Sequence, residues 1–182
     1  MEYTEEAMNE IVTGYNGKTY TIRELAEKAR EFTQKNSKEK KAKETFEPIY
    51  NSDEDLLTGE EWRTLTQKGW SKYAVSNKGR IRWNGHLIKQ YDEIRYGKER
   101  TGYLVLDRNK EYDVEHHFYV YKMVAMAFLG KEENDKYHVH HIDNNGYDCR
   151  PKNLILLTPE QHSYVHGFSC ETYNDKEKSD CV

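Results

Sequence analysis

Between His138 and His166 the sequence reads HVHHIDNNGYDCRPKNLILLTPEQHSYVH, which places five of the chain's eight histidines in one short stretch. Histidine is both the commonest metal ligand and the usual general base near neutral pH, so such a cluster has chemical potential. A strand predicted over Tyr137–Ile142 puts His140 and His141 on opposite sides of the backbone. His162 and His166, four apart on a predicted helix, share one face and can bind a single ion. His140 can join them as a third ligand, and three ligands with an open position describe a catalytic rather than a closed structural metal site. His141, close to the ion but not on it, is then free to take a proton from water. Metal and base together suit phosphodiester hydrolysis, with the ion on a phosphate oxygen and the leaving 3′ oxygen. Asn153, twelve residues after His141, stands where the next strand begins and can hold the loop or His141 in register. His138 faces the His140 side without binding the ion, and Cys149 is a small packing residue.

The elements that must position these groups are readable around them. Tyr119–Phe128 has Val120, Met123, Val124, Ala127 and Phe128 on one helical face, with Gly130 as its C-cap. Strands are expected at Tyr137–Ile142 and Leu154–Leu157, separated by the turn-rich loop Asp143–Lys152. Thr158-Pro159-Glu160-Gln161 supplies an N-cap, a proline at the first helical position and a capping glutamine, so a helix runs from there to about His166 and ends at Gly167. Upstream, Ser71–Asn77, the turn dipeptide Lys78-Gly79 and Arg80–Trp83 form a hairpin signal. On its returning strand Arg80 and Arg82 share a face, and with Lys78 and Asn77 they are the expected contacts to nucleic-acid phosphates or bases. Gly102–Leu106 is a further strand. Near the N-terminus, Thr21 and Glu24 form a capping box that opens a helix through about Phe32, with Ile22, Leu25, Ala26 and Ala29 at helical spacing. This could be half of a helix-turn-helix, but one helix is weak support for that. The charge run KNSKEKKAKE that follows reads as a linker or helix extension.

Composition limits the alternatives. With 33% charged and 36% hydrophobic residues over 182 positions, only part of the chain can fill a core. No stretch approaches the roughly 20 apolar residues of a membrane span, and the acidic N-terminus lacks a signal-peptide pattern, so a cytoplasmic protein is the default expectation. Three cysteines without a CxxC pair exclude a four-cysteine zinc site and a disulfide framework. The net charge of −4 argues against general coating of nucleic acid; residues 131–182 carry six basic against ten acidic groups, so DNA contact must use local basic patches.

The pattern His141, Asn153, His162, set in HHIDNN, NL, LT and EQH, resembles the HNH nuclease motif in its ββα-metal fold, over roughly Val120–Gly167. The upstream Glu61-Trp62, Tyr73, Val75-Ser76-Asn77 and Gly79-Arg80-Ile81-Arg82 are similar to a DNA-binding module found before HNH domains in phage and homing-type endonucleases. The resemblance implies His141 as general base, Asn153 as the middle residue of the motif and His162 as a metal ligand. His140 occupies a ligand position that is Asp in many homing relatives, and His166 matches an extra ligand of the bacteriocin-type branch. It also implies a phage or mobile-element origin in a bacterial host.

The expected architecture is α+β, a small β-rich DNA-binding module followed by a ββα-metal nuclease domain. Its divisions are a helical segment and charged linker over 1–45, the module over 46–115, the nuclease domain over 116–169 and an acidic tail over 170–182. The expected activity is metal-dependent cleavage of double-stranded DNA with one divalent ion (Mg2+, Mn2+, Ni2+ or Zn2+), nicking as a monomer or weak dimer. Three imidazoles favour the later transition ions. Two other classes compete. A non-catalytic DNA-binding protein with a dead nuclease fold is disfavoured because every motif position is filled. A structural zinc module lacks a fourth ligand at suitable spacing.

Overall fold

A computed structural model describes residues 4–38, 56–95, 99–106, 118–132 and 134–167. The expected acidic tail and most of the charged linker lie outside the described residues.

Thr4 caps a short helix α1 (Glu5–Met8) through its side chain. Strands β1 (Ile11–Thr13) and β2 (Thr19–Thr21) then form a small antiparallel hairpin. Helix α2 (Ile22–Lys38) opens on the expected capping box: the Glu24 N–H donates to Thr21 Oγ1 at 3.1 Å and the Thr21 N–H to Glu24 Oε2 at 2.8 Å. It continues six residues past Phe32, because the following charge run contains no glycine or proline to stop it.

The middle of the chain is β-rich. A four-stranded antiparallel sheet has the order β3 (Trp62–Thr64), β4 (Tyr73–Ser76), β5 (Ile81–Trp83) and β6 (His86–Ile88). The predicted β4–β5 hairpin is present, with Gly79 at φ 81° in its turn. Asn84-Gly85 turns β5 into β6 with φ values of 47° and 86°, the left-handed pair that a tight two-residue hairpin requires. A second hairpin pairs β7 (Gln90–Arg95) with β8 (Glu99–Leu106), with an irregularity between Asp92 and Ile94.

Helix α3 (Val120–Phe128) buries Val120, Met123, Val124 and Phe128, and Gly130 at φ 71° terminates it as expected. Strands β9 (His138–His141) and β10 (Leu154–Leu157) pair antiparallel, and α4 (Pro159–Val165) closes the ββα unit. The unit is buried on both faces. On one side Leu154 and Cys149 join α3, β8 and the four-stranded sheet in a common core. On the other, Ile142, Ile155, Leu157 and Val165 pack against Ile22, Leu25 and Ala29 of α2. The N-terminal helix therefore shares a core with the ββα unit, and its apolar face is spent on that packing.

Candidate active site

Cross-strand register decides where the histidines go. His138 and His140 lie opposite Leu157 and Ile155, on the face covered by α4, whereas His141 lies opposite Leu154 and faces the α3 side. Helix α4 is fixed at its start by a complete capping box: Thr158 Oγ1 accepts the Gln161 N–H, and Gln161 Oε1 accepts the Thr158 N–H. One turn later His162, and two turns later the C-cap His166, stand over the strand. Ring centroids are 5.6 Å apart for His140 and His162, 5.0 Å for His140 and His166, and 4.6 Å for His162 and His166. One nitrogen of each of the three lies within 4.8 Å of the others. The His138 ring is 5.2 Å from His162 on the same side, outside the converging set.

Burial keeps these imidazoles neutral. His162 is pushed down to about 3 by burial first, then by the neighbouring His166, His138 and His141. His140, 2% exposed, is held well below the usual histidine value by burial and by His166, His162 and His141. Burial also lowers His166, the most accessible of the three. Neutral imidazoles keep a lone pair for coordination. The His140 Nε2 atom is buried and meets no hydrogen-bond partner, a cost that a ligand would relieve. Nitrogens on a tetrahedral ion sit roughly 2.0–2.1 Å from it and so about 3.4 Å apart. The triad thus fits one divalent ion after a modest inward movement, with its open side at His166.

His141 sits on the other face, 6% exposed, between the rings of Tyr121 at 5.2 Å and Tyr103 at 5.8 Å. Its Nε2 also has no hydrogen-bond partner. Burial lowers its pKa to about 4, the Asp148 carboxylate opposing and His166 reinforcing the shift. Although the strand separates the two rings, His166 adds to the lowering of His141, and His141 to that of His162. Base candidate and ligand cluster share one electrostatic neighbourhood.

Asn153 is a clamp on the loop between the strands. Its Nδ2 donates to Asp143 Oδ1 at 2.8 Å and to the Asp148 carbonyl at 3.0 Å, and its Oδ1 accepts the Asp143 N–H at 3.2 Å. Those bonds place it among the loop residues rather than on His141, so of its two expected roles the structure displays loop support. The same loop presses Gly146 against β8, where an added Cβ would lie 2.2 Å from the Gly102 carbonyl and 2.8 Å from the Tyr103 ring. Glycine at 146 lets Tyr103 stand beside His141. Tyr103 carried no local signal because it lies upstream of the motif, and Tyr121 stands off the apolar face by which its helix is read.

The four residues expected to contact DNA separate. Arg80 corrects its expectation: its side chain is fully buried, with Nε 2.8 Å from Glu60 Oε1 and a second bond from Nη2 to Oε2. The carboxylate arrives from the segment just before β3, twenty residues earlier, and covers the face that strand alternation assigned to solvent. Asn77 is also engaged locally, accepting the Glu61 N–H and donating to the Gly59 carbonyl. Arg82 is half-buried with its guanidinium 4.2 Å above the Trp62 ring, and Lys78 is half-buried at the β4–β5 turn.

Residues 119–164 match the family model HNH_3, described as HNH endonuclease. No curated protein matches. A solved structure described as "DNA binding and cleavage by the HNH homing endonuclease I-HmuI" is similar at 24% identity and a TM-score of 0.40. That similarity covers 65% of this chain and 66% of the other, so the chain spans just under two thirds of it. No helix among the described residues is long and apolar enough to cross a membrane. The family match takes in α3, both strands and α4 up to residue 164, the segment that carries the histidine cluster and His141.

Proposed function

We propose that this chain is a divalent-metal-dependent DNA endonuclease that nicks one strand per binding event as a monomer. The observation that carries the reading is the division of two adjacent histidines. His140 turns into a three-nitrogen cluster, while His141 turns into an aromatic pocket with its Nε2 unpartnered. His140, His162 and His166 would hold the ion, which when bound supplies Lewis-acid stabilisation of charge on the reacting phosphate. His141, kept neutral by burial, accepts the proton of the attacking water at Nε2. Asn153 acts on the reaction by fixing the Asp143–Asp148 loop that carries Gly146 beneath Tyr103. Lys78 and Arg82 of the β-rich segment take phosphates of the bound duplex, and that segment acts as the binding module ahead of the nuclease domain. One site per chain makes a nick the natural product, and a cytoplasmic enzyme of phage or mobile-element origin fits this activity.

Supercoiled-plasmid cleavage tests the reading directly. Metal-stripped wild type and His141→Ala are each supplied with Mg2+, Mn2+, Ni2+ or Zn2+. Wild type should convert plasmid to open circle with at least one ion, and His141→Ala should be slower by about 10²-fold or more, the scale of a lost general base. Equal rates in the two proteins would remove His141 from the chemistry. DNA binding without cleavage under every metal would identify a non-catalytic DNA-binding protein.

A further inference from the structure

The N-terminal helix does more than cover the back of the ββα unit. Where α2 passes the end of α4, a groove of about 470 Å³ opens between them. Its walls include Arg30, Phe32 and Ala29 from α2, Asn144 from the loop after His141, and Val165 and His166 from the end of α4. His166 is also the accessible edge of the three-histidine cluster, so groove and cluster share a side chain. Arg30 is exposed and makes no ion pair among the described residues. Asn144, left-handed at φ 57°, keeps a buried Nδ2 that no acceptor satisfies.

The charge of α2 is lopsided in a way that selects the occupant. A second hollow on this helix, about 440 Å³, is lined by Glu24, Glu27 and Glu31 with one lysine, Lys28, and repels phosphate. Among the described residues, the groove beside His166 has no carboxylate in its lining, and its one guanidinium, Arg30, makes no ion pair. An apolar floor of Ala29 and Val165 with a cationic rim matches a sugar–phosphate backbone, which offers a deoxyribose to the floor and an anion to the rim. We infer that this groove is a DNA-backbone subsite, in which Arg30 holds a phosphate of the cleaved strand next to the one at the histidine cluster. The inference rests on the endonuclease reading and adds a contact made by a segment outside residues 119–164. Arg30 is a positioning residue: it fixes the strand and takes no part in proton transfer.

The test uses the full chain and a fluorescent 30-base-pair duplex in EDTA, which leaves the DNA uncut, with affinity read by anisotropy between 50 and 200 mM KCl. Each phosphate contact contributes roughly 0.9 to the slope of log affinity against log salt. Arg30→Gln should flatten that slope by about this amount and weaken binding about three- to tenfold. Arg23→Gln, on the same helix but paired with Glu5 outside the groove, should leave the slope unchanged. Zn2+ affinity and thermal midpoint should be the same for Arg30→Gln and wild type, since the side chain is exposed. A wild-type slope in Arg30→Gln overturns the subsite, as does an equal loss in Arg23→Gln, which would mean diffuse charge rather than a groove. An effect confined to an RNA duplex of the same sequence also overturns it. If wild type cleaves plasmid while Arg30→Gln keeps the wild-type slope, this inference alone fails. If wild type neither binds nor cleaves DNA, the endonuclease reading fails and the subsite falls with it.

Discussion

Two regions of this molecule bury strongly polar side chains and treat them in opposite ways. Beside the four-stranded sheet, Arg80 and Glu60 are both fully buried, and each supplies what the other lacks: two guanidinium N–H groups meet two carboxylate oxygens. In the ββα unit, His140 and His141 are nearly as buried, yet each keeps an Nε2 without a partner. The first arrangement is closed and has nothing left to offer a ligand. The second is incomplete, and a ligand from outside the protein would supply the missing partner. Burial alone therefore does not distinguish the two; what differs is that Arg80 and Glu60 answer each other while the two imidazole nitrogens are left open.

The largest expected effect comes from opening the closed pair. Arg80→Leu strands the Glu60 carboxylate in the interior, which costs about 3–5 kcal/mol and should lower the thermal midpoint by roughly 10 °C or more in scanning calorimetry. The double variant Glu60→Leu/Arg80→Leu should recover most of that loss, since no charge is then left uncompensated. His140→Leu in metal-free protein should behave differently, because it strands no partner. A loss from His140→Leu as large as that from Arg80→Leu would break the comparison.

The next effect completes the incomplete region. Zinc at 100 times its dissociation constant should stabilise wild type by about 2.7 kcal/mol, read as a midpoint rise of about 5–10 °C. His162→Ala removes one of the three converging nitrogens and should lose most of that gain. Glu60 and Arg80 contribute no atom to the cluster, so zinc should not rescue Arg80→Leu beyond the increment seen in wild type. A zinc response that survives His162→Ala would place the ion elsewhere.

This contrast also explains what could be read from the sequence. The histidine triad was legible because its logic is local: strand alternation separates His140 from His141, helical spacing joins His162 to His166, and a capping box fixes where α4 starts. The β4–β5 hairpin and the end of α3 at Gly130 were legible for the same reason. Asn84-Gly85, which turns β5 into β6, is an equally local signal. Arg80 was misplaced because alternation says which face a side chain takes and nothing about what covers that face. The covering Glu60 comes from a turn held by its N–H bond to the Leu57 carbonyl, with no periodicity to announce it. Helix α2 posed the same difficulty. Its apolar stripe required a partner, but the partner, Ile142, Ile155, Leu157 and Val165, lies more than a hundred residues away.

The smallest effect separates the two regions along a pH axis. Burial on its own would raise the Glu60 carboxyl. Hydrogen bonds from Arg80, the Leu57 N–H and Ser76, together with the Arg80 charge, outweigh it and hold the group below its ordinary 4.5. As pH falls past that ordinary value the unfolded chain takes up the proton first. The stability that Glu60 contributes is thus present above about pH 4.5 and lost as pH falls through its folded value. Glu60→Gln cannot titrate there and leaves the Arg80 charge only partly answered, so it should be less stable than wild type at pH 7. The gap between the two, taken from urea midpoints, should stay level down to about pH 5 and narrow below it. Protonation of the histidine cluster is common to both proteins and cancels in the difference, whatever it does to each curve. A gap that narrowed already between pH 7 and 5 would tie Glu60 to the histidines. One that stayed constant to pH 3 would mean that the Arg80–Glu60 pair, closed as it is, does not depend on the carboxylate's charge.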